Sequence, residues 1–142
     1  MGEKIQALVS DLILNDKARE QYLTLSEAEP QDQDARQLTM VIGPGEAQEI
    51  CRCLYQSQTP RPLTHELMFN IMQELQAEPV ESYIFNLKDQ IYFAKLSFRH
   101  LGSELSVDCR PSDAIALSLR GQLPIFVDSD LMAVPPGPAD SD

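Results

Sequence analysis

Two short stretches concentrate the residues able to do chemistry: Arg61-Pro62-Leu63-Thr64-His65-Glu66 and Arg110-Pro111-Ser112-Asp113-Ala114. Each sets an arginine and a proline ahead of an apolar or amphipathic run. Each then puts a carboxylate in the first turn of the helix expected there. Free N–H groups and the positive end of the dipole gather at a helix start, so an arginine beside each makes an anion-binding corner. His65 has the chemistry of a general base or a metal ligand, and it has an equally simple reading as filler of a first helical turn. Glu66 and Asp113 either act on a substrate or complement the dipole, which is worth about 0.3–1 kcal/mol each. Arg110 follows a strand and precedes a helix, where its planar fork suits a phosphate or a nearby carboxylate, Asp108 or Asp113. Arg61 carries the same two readings. His100, in a turn beside Gly102, reads as solvated.

The elements that must position these groups follow from periodicity. Residues 4–14, 19–25 and 37–42 alternate as strands, the first two forming a hairpin through Asn15-Asp16-Lys17-Ala18. The acidic, glutamine-rich stretch 26–36 reads as a mobile loop. After Gly43-Pro44-Gly45, the stripe Ala47, Ile50, Cys51, Leu54, Tyr55 predicts a first helix. Thr64 is a favoured cap for a second, with Leu63 and Met68 as its staple and Leu67, Met68, Ile71, Met72 and Leu75 as its buried stripe. Strands at 80–87 and 91–98 turn at Lys88-Asp89-Gln90, and a third runs through Leu105, Val107 and Cys109. A third helix over 112–120 is apolar enough to be deeply buried and stops at Gly121 as its C′ residue. A short strand at 123–127 precedes an acidic, proline-rich end. The expected fold class is α+β: a mixed, mostly antiparallel sheet with about three helices. Pro44-Gly45-Glu46-Ala47 echoes Pro111-Ser112-Asp113-Ala114 after similar strands, which suggests a duplicated βββα unit with the second helix inserted between copies. Residues 1–134 read as one domain and 135–142 as a disordered tail.

Composition limits the function classes. The formal net charge is −11 over 142 residues, which opposes nonspecific binding to a polyanion. Much of the acid lies in 26–36 and 128–142; setting these aside leaves 14 acids against 10 bases, so a local basic corner is compatible. No apolar run is long enough to span a bilayer, and the start lacks signal-peptide character, so a cytoplasmic protein is expected. Cys51, Cys53 and Cys109 lack zinc spacing and read as buried or half-buried thiols. No nucleophile elbow, phosphate-binding glycine loop or histidine–glutamate zinc helix occurs. Along the sequence the aromatic residues do not interleave with basic ones, which argues against a stacking platform for single strands.

Taken together, Arg61-Pro62-Leu63-Thr64-His65-Glu66, the strand pair, and Asp108-Cys109-Arg110-Pro111-Ser112-Asp113-Ala114-Ile115-Ala116-Leu117-Ser118-Leu119-Arg120 resemble the bifunctional nuclease family. Val41-Ile42-Gly43-Pro44-Gly45-Glu46-Ala47 is similar to that family's strand-to-helix turn, and the resemblance runs from about residue 4 to 132. It implies cleavage of RNA and DNA by a duplicated α+β domain that is commonly dimeric. Carried over, it implies catalytic roles for His65, Glu66 and Asp113 and substrate contacts from Arg61, Arg110 and Ser112, with Asp108 and Glu46 as further candidates. Mg²⁺ or Mn²⁺ would find oxygen ligands among Glu66, Asp108 and Asp113. RNA or single-stranded DNA is the implied substrate, and a homodimer or higher homo-oligomer the implied assembly. A noncatalytic module binding a small anion or a protein is the competing reading. The chain departs from the family's pattern in its acidic loop, in Glu66 where aspartate is usual, and in Asp89-Gln90 where Asp-Gly is usual.

Overall fold

Strand alternation and three helical stripes build ten regular elements in the computed structural model, which describes residues 2–15, 17, 19–31 and 34–136. The strands are β1 (Lys4–Ile13), β2 (Gln21–Glu27), β3 (Gln37–Ile42), β4 (Ala77–Lys88), β5 (Ile91–His100), β6 (Ser103–Cys109) and β7 (Ile125–Asp128). The helices are α1 (Pro44–Leu54), α2 (Thr64–Glu74) and α3 (Pro111–Gly121). The strands form one sheet in the order β3-β2-β1-β7-β4-β5-β6, antiparallel throughout except for the parallel pair β4–β7. This is the α+β class that the sequence pattern implies.

The βββα order occurs twice. β1-β2-β3 is an antiparallel meander leading into α1, and β4-β5-β6 is another leading into α3. Strand β7 sits between the two meanders, antiparallel to β1 and parallel to β4, so the copies run in opposite directions. Alternate residues on one face, including Leu23, Leu25, Met40, Ile84, Ala94 and Val127, form the core with Ala47 and Ile50 of α1 and Ala114, Ile115 and Ala116 of α3. At about 25 cal/mol per Å² of apolar surface removed from water, this layer is the main source of stability. Burial of α3 follows its nearly all-apolar sequence.

Several local expectations give way to packing. No residue of α2 is fully buried, and Leu67, Met68, Ile71 and Leu75 of its anticipated buried stripe are exposed. Only the side bearing His65, Glu66, Phe69 and Met72 is half-buried, because α2 rests on α3 and β4 through a narrow contact. Its N-cap is Leu63, so Thr64 is already helical and makes no capping bond; Leu63 and Met68 are both exposed. In α1 the stripe ends early, with Leu54 and Tyr55 exposed beyond the turns that meet β2 and α3. Gly121 belongs to α3, and the left-handed residue that closes the helix is Gln122 at φ 55°. Gly121 is small for another reason: a Cβ there would lie 2.7 Å from Phe69 of α2. His100 ends β5 half-buried, with Nδ1 enclosed and without a partner.

The 26–36 loop starts later than expected, since residues 26 and 27 belong to β2, and its base is closed. Arg36 Nε donates to Glu27 at 2.6 Å, and Ala28 N–H donates to Gln6 at 2.9 Å. Of the expected disordered tail, residues 137–142 lie outside the described residues. Finally, the sheet register interleaves what sequence order separates. Lys4 lies over the rings of Phe126 and Tyr83 at 4.6 and 5.2 Å, and Lys95 over Phe85 and Tyr83 at 5.5 and 5.8 Å. Glu81 pairs with Lys4 on the same face, so this is a mixed-charge surface and not the basic groove that a stacking platform needs.

Candidate active site at the paired helix starts

Both repeated units enter their helix in the same way. Gly43 and Arg110 are N-caps in extended backbone, at φ −76°, ψ 162° and φ −73°, ψ 147°. Proline follows each at the first helical position, where its fixed φ suits the helix and its missing N–H costs no bond. Glu46 and Asp113 then stand at equivalent third positions. The two units differ at the cap. Glu46 folds back over Gly43 so closely that a Cβ there would lie 2.3 Å from its carboxylate oxygen, whereas Arg110 reaches across to both carboxylates.

Arg110 Nη1 donates to Glu46 at 3.0 Å, while Nε and Nη2 donate to Asp113 at 2.8 and 3.1 Å. His65, carried in by α2, lies with Nε2 2.8 Å from Asp113 Oδ1. Four candidates from distant parts of the sequence thus form one chain: His65, Asp113, Arg110, Glu46. The Arg110 side chain is 63% exposed, so this cluster is open to solvent. Burial pushes the Asp113 carboxyl up, but hydrogen bonds from Arg110 and His65 outweigh it and hold it below the usual aspartate value. The Asp113 hydrogen bonds raise the Arg110 guanidinium in turn.

Beside the cluster is an open cavity of about 630 Å³. His65, Asp113, Arg110 and Asp108 provide its polar wall; Met68, Tyr92 and Val107 are among its apolar lining. Burial, reinforced by the charges of Asp113 and Asp108, pushes the Cys109 thiol in this wall up to about 11. It is therefore a protonated thiol at neutral pH and a poor nucleophile. A second cavity of about 440 Å³ lies on the other side of Arg110, with Glu46, Gln90 and the buried Ser112 in its lining.

Not every candidate converges here. Arg61 is exposed, lines neither cavity and makes no ion pair among the described residues. Glu66 turns away to Arg120, which donates to it at 3.1 Å. Arg120 also donates to buried Glu49 at 2.5 Å, and Arg52 donates to Glu49 at 2.9 Å. This second network, joining α1, α2 and α3, was not anticipated. Its signal was Glu49, a carboxylate inside the apolar stripe of α1. Burial pushes Glu49 up, but its two arginines hold it below the usual glutamate range.

Of the three oxygen donors considered for Mg²⁺ or Mn²⁺, Asp108 is exposed in the cleft wall and the other two are already engaged. Both Asp113 oxygens already accept from cationic or ring N–H donors, and Glu66 belongs to the Arg120 network. Among the described residues no three His, Cys, Asp or Glu groups come together as a cation site.

Residues 29–136 match the bifunctional nuclease domain, and the chain belongs to that family. The match leaves β1 and β2 outside it. Two relatives are uncharacterized proteins of Mycobacterium tuberculosis, MT1877 of strain CDC 1551 / Oshkosh and Rv1829 of strain H37Rv. Each is 34% identical over 98 residues, covering 69% of this chain and 58% of the relative's own length. No helix among the described residues is long and apolar enough to cross a membrane.

Proposed function

We propose that this chain hydrolyses phosphodiester bonds in RNA or single-stranded DNA, using the cleft beside His65. The observation that carries this reading is the 2.8 Å contact between His65 Nε2 and Asp113, set in the wall of an open cavity with Arg110. An ionised Asp113 accepts a hydrogen bond from Nε2–H and fixes the tautomer, which leaves Nδ1 as the basic nitrogen. Nδ1 takes a proton from water, or from a ribose 2′-hydroxyl in RNA, as its oxygen attacks phosphorus. The new P–O bond forms as the bond to the leaving oxygen breaks, the departing oxygen takes the proton held on the imidazole, and a cyclic phosphate formed by the 2′-hydroxyl is then opened by water. Arg110 supplies donors for the non-bridging oxygens once a phosphate displaces one of its carboxylates. Ser112 and Glu46 flank that position. Arg61 and Glu66 act outside this core, Glu66 by holding α2 to Arg120. The three free cysteines support a reducing, cytoplasmic setting, and the working unit is a homo-oligomer.

The test is hydrolysis of RNA and single-stranded DNA by purified protein, with and without Mg²⁺ or Mn²⁺, beside matched His65→Ala and Arg110→Ala preparations. Each substitution is expected to reduce kcat/KM by about 10²–10⁴-fold, the range for losing a positioned acid–base group or charge stabiliser. Equal rates in all three preparations would assign the cleavage to a contaminant and sink the proposal.

One observation favours the second reading, a noncatalytic module for a small anion or protein. Arg110 is already matched by two carboxylates, and Asp108 adds a third acid to the cleft wall. Calorimetric binding of a phosphate-bearing or protein ligand, lost in Arg110→Ala and without turnover, would select it.

A further inference from the structure

The exposed apolar residues of α2 and its two cap positions are not scattered. Leu63, Leu67, Ile71 and Leu75 recur every fourth residue and are 39, 52, 48 and 63% exposed. This is a continuous i±4n ridge, the surface feature that packs helix against helix. On the cleft side it is continued by Met68, and across the cavity by Val107 and Leu105 on the unpaired edge strand β6. Together these side chains leave on the order of 600 Å² of apolar surface in water, at the upper end of the largest patch an ordinary monomer carries.

We infer that this face is where a second copy of the chain docks, with the α2 ridges crossing about a two-fold axis. This rests on the homo-oligomer reading above and gives it a surface. Three features select a second copy. A two-fold contact needs a patch that complements itself, and an i±4n ridge packs against its own copy at the common crossing angle. The area approaches the roughly 800 Å² per partner of a standard interface. A chain carrying −11 repels its own copies over most of its surface, and the four ridge residues carry no charge.

The position of the ridge gives docking a consequence for the site. The helix that would be clamped is the one that delivers His65. In the single chain α2 has no fully buried residue, and the His65–Asp113 and Glu66–Arg120 contacts hold its first turn. Met68 belongs to both the apolar face and the cleft. A second copy packed on Leu67 and Ile71 therefore holds the imidazole against Asp113 and walls the apolar side of the cleft.

The experiment is sedimentation velocity on the full chain at micromolar concentrations, with Leu67→Glu/Ile71→Glu and the single variant Leu75→Glu beside it. Far-UV circular dichroism reports folding, which these exposed sites should leave intact. The imidazole ¹⁵N shifts of His65 report its tautomer. Wild type is expected at twice the mass of one chain, the double variant at half that value, and the single variant shifted toward monomer. The double variant is also expected to lose the single-tautomer signature of His65. A monomeric wild type overturns both the dimer and its surface, and leaves the ridge to a different partner. A dimer that survives in the folded double variant overturns the surface alone. Neither result depends on whether the chain cleaves nucleic acid.

Discussion

At the residue scale the decisive group is Asp113, which accepts from an imidazole and a guanidinium at once. Its carboxylate accepts from His65 on one side and from Arg110 on the other. Asp113→Asn keeps the shape but removes the charge that holds Nε2–H and the guanidinium. The expected result is a fall in kcat/KM of about 10²–10⁴-fold, as for a histidine base whose orienting carboxylate is neutralised. Steady-state hydrolysis of a short RNA, with thermal unfolding to confirm the fold, checks it; an unchanged rate would remove Asp113 from the mechanism. Arg110 and Asp113 were recognisable in the sequence because a proline at the first helical position fixes where the helix starts and which residue reaches its third position. Glu66 points to Arg120 for a related reason. Adjacent residues on a helix diverge by about 100°, so His65 and Glu66 cannot both face one cleft.

At the element scale α2 is the least secured helix, and its attachment rests on close approach as much as on ion pairs. Phe69 packs where Gly121 leaves room, and a methyl group there would sit 2.7 Å from its ring. Gly121→Ala should therefore cost about 1–3 kcal/mol, the usual price of overpacking, although alanine is the better helix former. Urea denaturation measures this, and a stabilised protein would show that α2 is free to shift. The amphipathic pattern of α2 was legible, but not which side faced inward. Its apolar residues nearly encircle the helix, and the buried side was decided by His65, Phe69 and Met72 meeting α3 and β4. Periodicity identifies a stripe; only tertiary contact says whether the core or another surface takes it.

At the scale of the whole molecule, charge networks tie the stability to pH. Asp113, Glu49 and Glu27 are held below their ordinary values by arginine partners, against the opposing effect of burial. Below about pH 4 the unfolded chain binds protons that these groups refuse when folded, so their contribution is complete above the unfolded values and is lost as the pH falls through the folded ones. Cys109 and Cys53 act in the opposite direction. Burial raises both thiols, so their contribution is complete below the unfolded thiol value near 8.5 and is lost as the pH rises beyond it. Thermal unfolding across pH should show a plateau near neutrality falling on both sides, with the alkaline limb weaker in Cys109→Ala. A midpoint that keeps rising into acid would contradict the assignment. The α+β class and the repeated βββα order were readable from strand and helix periods. The central place of β7 was not, because four residues carry no marker of which strands they will join.

That placement has a consequence for how the chain comes together. The inner edges of the two meanders, β1 and β4, meet only through β7, whose Ile125 pairs with Ala7 and Ser82 at once. A nascent chain leaving the ribosome completes β1 early and then waits for nearly the whole sequence before that edge is covered. During this interval β1 presents unpaired N–H and C=O groups to any extended neighbour, the hazard of an open edge. Closure is also the longest-range event in the topology, and such contacts form slowly. The last short strand is thus the clasp of the sheet, and the time before it closes is when a chaperone would matter most.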